Sequence, residues 1–425
     1  MQPYYERLRL SRRAALQSLL GGAAASLISS SLRNNAWSSD SIEQLPPVRA
    51  ITRGPRFHWF GYYDKFQFDP ADRYVLGMEV DFEHRLPSPD DKVRIGMVDL
   101  NDGDRWVELG TSSAWCWQQG CMLQWRPGSN DEIVFNDREP GRFVTRILNV
   151  KTNQLRTLPE PIYCLTPDGR YGLGCNFSRL WDVRPGYGYP GLVDPEADLP
   201  VPARSGVYRI DLETGERRLL VSVDEALRIG KPHPTWSGCK HYFIHLLAAP
   251  DGKRFVWLHR WRDGEKQRGT RMLTADLGGG DIRLIDDCGL TSHFIWRDAR
   301  HLLAFSGQPA GNRFYLFEDG GARIEAVGHD AMLVDGHCTY LPGNEWILND
   351  TYPDQRRLQH PYLYRVSDGR RISLGHFMSP PPYTGEWRTD THPRSSRDGR
   401  SVVIDSPHGG NGRQMYLIDA RQIVG

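Results

Sequence analysis

Apolar and polar residues alternate in short runs along most of this chain, and each run is closed by a turn built from Pro, Asp or Gly. Alternation with a period of two is the mark of a half-buried strand, and Gly/Asp/Pro clusters mark its ends. The pattern repeats seven times, each time as a polar or His-containing lead, a turn, an alternating strand, a second strand ending at an Asp-centred turn, and a final strand. The middle strands are predicted at residues 74–77, 133–136, 171–174, 255–258, 302–305, 346–349 and 402–405. The strands after them are predicted at 95–99, 145–149, 207–211, 271–276, 314–317, 362–366 and 415–419. Turns such as Pro167-Asp168-Gly169 and Pro250-Asp251-Gly252 introduce the middle strands, and helical periodicity is almost absent.

A repeat of this length decides the fold class before any single element does. Seven small antiparallel sheets without helices cover their faces and edges by packing radially, which predicts an all-β, seven-bladed β-propeller. The last repeat stops at Ile418-Asp419, with too little chain behind it for an outer strand. Residues Val48-Arg49-Ala50-Ile51-Thr52 are expected to pair with residues 414–419, so that N- and C-terminal strands close the ring. An open sandwich or two separate β domains is the competing architecture.

The start of the chain reads differently. Ser11-Arg12-Arg13-Ala14-Ala15-Leu16 leads into a weakly apolar Gly/Ala/Ser stretch that ends near Ile28, the build of a twin-arginine export signal. Residues 1–40 are assigned to this signal and its tail, cleaved between Ala25 and Trp37, and residues 41–425 to the propeller. A periplasmic or secreted protein is expected. Lys and Arg total 53 against 52 Asp and Glu, so no basic excess draws the protein to nucleic acid. No apolar run of spanning length follows the first forty residues, so no membrane span is expected after signal removal, and the protein is expected to be a monomer. The seven cysteines are an odd number; Cys116 and Cys121 are the expected bridge and the others buried thiols.

In a propeller the loops leading into the innermost strands crowd one face, so their polar residues converge from distant points in sequence. Five leads carry a His at about the same phase of the repeat: His58, His245, His293, His337 and His392. A lone His is more often a hydrogen-bonded structural residue than a ligand; five in equivalent positions favour a site, with inheritance of a structural His by duplication as the alternative. The third repeat adds Tyr163, expected at the start of an inner strand, and Arg179, expected to leave the second strand one hairpin later. A Tyr beside an Arg suits proton abstraction, because a nearby cation favours phenolate. A cation–π packing pair is the equal alternative. There is no Gly-x-Gly-x-x-Gly after a strand, no phosphate loop and no His-Glu-x-x-His.

The seven-repeat layout, the His-bearing leads and the Pro-Asp-Gly turns resemble the seven-bladed polysaccharide lyases, the oligogalacturonate and ulvan lyases. The Tyr163 to Arg179 pairing resembles the catalytic Tyr and Arg of the ulvan-degrading group. This resemblance implies β-elimination on a uronate-containing oligo- or polysaccharide. It further implies a divalent metal (manganese, calcium or zinc), for which His293, His337 and His392 are the candidate ligands. Where the ulvan lyases offer histidines to the substrate carboxylate, this chain has Gln118, Gln119 and Asn136. The roles implied are Arg179, Gln119 and Asn136 on the carboxylate, Tyr163 as base or acid, and His245 as its partner. His58, Trp59, Tyr62, Trp117, Asn176, Tyr189 and Arg394 are assigned to substrate binding, the aromatic ones by stacking on sugar faces. The main alternative is a non-catalytic propeller that binds a glycan or a protein. A sialidase-type hydrolase lacks its repeated Ser-x-Asp-x-Gly-x-Thr-Trp boxes here, and a peptidase lacks a Gly-x-Ser-x-Gly elbow.

Overall fold

The computed structural model describes residues 43–425, so the expected export segment lies outside the described residues. Seven four-stranded antiparallel sheets follow one another along the chain, with one additional two-stranded ribbon. All fourteen strands predicted from alternation are present; blade 2, for example, runs Gln124–Trp125, Glu132–Glu139, Arg142–Asn149 and Leu155–Leu158. Their local cause is the Asp-centred turn. The side chains of Asp69, Asp168, Asp211, Asp298 and Asp398 each accept bonds from backbone N–H groups two or more residues ahead. Each such Asx turn reverses the chain and fixes the register of the strand that follows. Gly169 completes one of them at φ +66°, where a side chain would also meet the Pro127 carbonyl.

Closure is as expected. Val48–Ala50 forms the outer strand of the last blade, with Val48 opposite Ile418, Arg49 opposite Leu417 and Ala50 opposite Tyr416. The pairing runs on through the Ile51 N–H, which donates to the Met415 carbonyl at 3.0 Å. Apolar side chains fill the wedges between blades, and a cavity of about 550 Å³ is lined by the ends of several inner strands, Cys164, Leu247, Trp296, Tyr340 and Ser395 among them.

Two expectations fail. The segment after Gly174 is not a simple hairpin: Phe177–Val183 is an α-helix, capped by the Asn176 side chain accepting from the Arg179 N–H. Among the described residues all seven cysteines are free thiols. Cys116 and Cys121 are not bridged: the Cys116 thiol faces the Gly120 carbonyl at 3.6 Å and the Cys121 thiol faces Met78 Sδ at 3.6 Å. No helix among the described residues is long and apolar enough to cross a membrane.

Candidate active site at the hub

Tyr163 immediately precedes the short inner strand Cys164–Leu165 of blade 3, and its N–H is held by the Leu173 carbonyl at 2.6 Å. His245 lies on Lys240–Ala248, the inner strand of blade 4, where pairing slips between Ile244 and Leu247. The slip puts His245 at φ +57°, a left-handed conformation that a β-strand residue adopts only under constraint. This kink turns the imidazole toward blade 3, and the Tyr163 hydroxyl lies 3.2 Å from His245 Nδ1. Gln119, presented by the Cys116–Gly120 turn, donates through Nε2 to the Tyr163 hydroxyl and lies 3.3 Å from His245 Nδ1. Its Oε1 is buried without a hydrogen-bond partner.

Burial sets the protonation states. It pushes the Tyr163 phenol well above its ordinary value, and the nearby Asp64 charge adds to this. It pulls the His245 imidazole well below its ordinary value, helped by the positive charges of Arg260 and Arg184. At neutral pH the pair is therefore a protonated phenol touching a neutral imidazole, an acid beside a base. The phenolate expected from a neighbouring cation is not what this environment favours.

Tyr62 joins this pair to a second cluster. Its ring stacks on His245 with centroids 5.1 Å apart and meets His392 edge-on at 5.3 Å. His337 sits between His293 and His392, with ring centroids 4.2 Å from each. His337 Nδ1 faces Asp350 at 2.9 Å and His293 Nδ1 faces Asp335 at 2.9 Å, which leaves Nε2 of each ring for another partner. Carboxylates behind imidazoles are the usual outer shell of metal-binding histidines. His337, Asp390 and His392 each offer one ligand atom within 4.8 Å of the others. His392 Nε2 and Asp390 Oδ1 are buried with no hydrogen-bond partner, and His392 is held at φ +39°. The orphaned His392 Nε2 and Asp390 Oδ1, together with the His337 imidazole, form a donor set that fits a divalent first-row ion. His293 stands beside this set as the further imidazole.

The walls of the site carry positive charge. Tyr187 meets His245 edge-on at 5.7 Å, and the Arg184 guanidinium lies 4.1 Å over the Tyr187 ring. Among the described contacts the Arg184 guanidinium has no carboxylate or carbonyl acceptor. Arg260 is 8 % exposed, its Nε has no partner, and no acceptor for it appears among the described contacts either. Arg388 donates to Asp390 at 2.8 Å and to the Tyr187 hydroxyl at 2.9 Å.

Several residues assigned from the sequence are structural. All five N–H groups of Arg179 are used, on Asp194 and on the carbonyls of His241, Glu196, Leu199 and Pro200, so none is left for a substrate carboxylate. The amide of Asn136 binds both backbone groups of Ile162 and the Tyr189 hydroxyl, which locks blade 2 to blade 3. Tyr189 itself stacks on Phe177 with ring centroids 4.3 Å apart and is fully buried. Trp59 and Trp117 pack on one another and on Trp115, with no ring face open to a sugar. His58 is fixed between Gln414 and Glu79, Asn176 caps the helix, and Arg394 is paired with Asp405. Tyr62, Tyr163, His245, Gln119, His293, His337 and His392 do meet at the hub. The sequence reading missed Asp335 and Asp390, although each lies two residues before a lead His in the same Asp-x-His spacing. Asp350, Arg184 and Arg260 carried no comparable signal.

Comparison with solved structures places the fold. Oligogalacturonate lyase in complex with manganese superposes with a TM-score of 0.66 at 12 % identity, over 88 % of this chain and 93 % of that one. The chain shares the fold of oligogalacturonate lyase. The Vibrio parahaemolyticus oligogalacturonate lyase gives a TM-score of 0.61 at 12 % identity, again over 88 % of this chain and 93 % of that chain. No protein-family profile and no curated protein matches the sequence.

Proposed function

We propose that the protein is a lyase that cleaves a uronate-containing oligosaccharide by β-elimination at the hub of the propeller. The observation that carries this reading is the buried contact between a protonated phenol, Tyr163, and a neutral imidazole, His245, beside a His/Asp cluster with orphaned acceptors. In this reading His337, Asp390 and His392, with His293 beside them, hold a divalent ion. When bound, that ion supplies Lewis-acid neutralisation of the uronate carboxylate, which makes the C5 proton more acidic.

The chain's own groups supply the proton transfers. With His245 Nδ1–H directed at the Tyr163 hydroxyl, the Nε2 lone pair, which the Tyr62 hydroxyl approaches at 3.5 Å, takes the C5 proton. The C5–H electron pair forms the C4=C5 double bond, the C4–O bond breaks, and Tyr163 gives its proton to the departing oxygen. The Nδ1 proton then passes across the 3.2 Å contact to the phenolate, leaving both groups neutral. Gln119 donates through Nε2 to the Tyr163 hydroxyl, so its role is to position the phenol. The guanidinium groups of Arg184 and Arg260, which have no carboxylate or carbonyl acceptor among the described contacts, are the carboxylate-binding donors in this reading, in the part that the resemblance gives to Arg179 and Asn136.

The test is incubation of the purified protein, with and without manganese, with oligomers of galacturonate, glucuronate, alginate and ulvan. Unsaturated uronate, read by its ultraviolet absorbance and by mass spectrometry, supports the reading. Tight binding without any unsaturated product supports a glycan-binding propeller instead.

A further inference from the structure

A second pair of imidazoles lies outside the hub, on the two-stranded ribbon of Leu358–Gln359 and Phe377–Met378 inserted in blade 6. Register pairs Leu358 with Met378 and Gln359 with Phe377, so His360 and His376 are the next facing positions on the ladder. Facing residues on antiparallel strands hold their Cβ atoms about 5 Å apart, close enough for two imidazoles to reach one point. Here they do: His360 Nδ1 lies 2.7 Å from His376 Nδ1. The other nitrogen of His360, Nε2, faces Asp354 Oδ2 at 3.3 Å. Asp354 is not free to swing, because its Oδ1 accepts from the Arg356 and Leu358 N–H groups at 2.8 and 2.9 Å.

This carboxylate fixes the ring and, by accepting from Nε2–H, turns the Nδ1 lone pair outward toward His376. That is the orientation a carboxylate imposes on a metal-ligating His. Two imidazole nitrogens bound tetrahedrally to one ion stand about 3.3 Å apart, given bonds of about 2.0–2.1 Å, so the pair needs to open by about 0.6 Å. His376 is exposed and His360 partly so, which makes the pair reachable by an ion from solvent.

We propose that His360 and His376, with Asp354 behind His360, form a second, surface site for a borderline divalent ion such as zinc, nickel or copper, for which imidazole is the preferred ligand. The ion joins the two strands that close the loop leading from Asp350 to His360. That loop carries Tyr352, whose ring lies 5.6 Å from His337. The surface ion therefore braces one wall of the hub without belonging to it, and the site does not depend on the activity proposed above.

The experiment is calorimetric titration of metal-stripped full-length protein with zinc, repeated on His360→Ala, His376→Ala, Asp354→Asn and, as a control at the hub, His392→Ala. Wild type is expected to take up one more equivalent than His360→Ala or His376→Ala, and His392→Ala is expected to retain that equivalent. Asp354→Asn is expected to weaken it by about 10–100-fold. Copper at this site is expected to show nitrogen coupling in its electron paramagnetic resonance spectrum that disappears in His376→Ala. Equal zinc uptake and equal affinity in wild type, His360→Ala and His376→Ala, each folded by circular dichroism, overturns the proposal.

Discussion

At the scale of single residues, the same side-chain types serve opposite purposes here, and burial with hydrogen bonding decides between them. Arg179 and Arg260 are both buried guanidinium groups, yet one has five protein acceptors and the other has none among the described contacts. Replacing Arg179 by Met leaves Asp194 as an uncompensated buried charge, so stability should fall by about 3–5 kcal/mol in denaturant titrations. A variant of unchanged stability with a raised KM would return Arg179 to the substrate. The Tyr163–His245 pair predicts the pH profile with the divalent ion kept saturating. In the proposed reaction the base works when His245 is neutral, and its value is pulled well below the ordinary one, so activity is expected to be lost only well on the acid side of about pH 6.5. The acid works when Tyr163 is protonated, and its value is pushed up, so the alkaline limb lies above about pH 10. A kcat/KM profile that bends near pH 6.5 contradicts the assignment of His245. Of this the sequence revealed the participants but not their state. The leads placed Tyr163, His245 and Gln119 on one face, whereas the phenol's protonation depends on burial that no spacing encodes.

At the scale of elements, strands were legible and the helix was not. Alternation recurs in every blade and the Asp-centred turns repeat with it, so each strand is announced more than once along the chain. Phe177–Val183 is two turns long and buries Phe177, Ser178, Arg179, Leu180 and Val183, which leaves no polar stripe to betray a helical period. Its one visible signal is the cap, and Asn176 had been read as a ligand. Asn176→Ala should lower stability by about 1 kcal/mol, measured by urea unfolding, without changing substrate affinity. A loss of affinity at unchanged stability would restore the earlier reading. The helix matters to the site because it carries the chain into the Arg184–Tyr189 loop, where Tyr187 and Arg184 stand against His245. The kink at His245 is a second feature that elements impose: a slipped pairing in blade 4 re-aims one imidazole.

At the scale of the whole molecule, closure makes the hub a fixed point. Val48–Ala50 covers the edge of Gln414–Asp419, and the same blade holds Asp405, which accepts from the Phe60 and Gly61 N–H groups that lead into Tyr62. Deleting residues 1–52 should therefore lower Tm by at least several degrees and promote association through the exposed edge, seen by calorimetry and size-exclusion chromatography. A truncated protein of unchanged Tm would mean that the ring holds without its closing strand. This closure was legible because the last repeat is visibly one strand short. The depth of the hub was not, since Asp350 and Arg260 arrive from second strands rather than from the leads. The measurement that bears most directly on the whole account is the rate of unsaturated-uronate formation by wild type and by Tyr163→Phe, on galacturonate oligomers with manganese. Wild type should form the product, and Tyr163→Phe, which keeps the ring and its packing, should form it about 10²–10⁴-fold more slowly at unchanged oligomer affinity. Equal rates in the two proteins, or no product from wild type on any uronate oligomer, would contradict it.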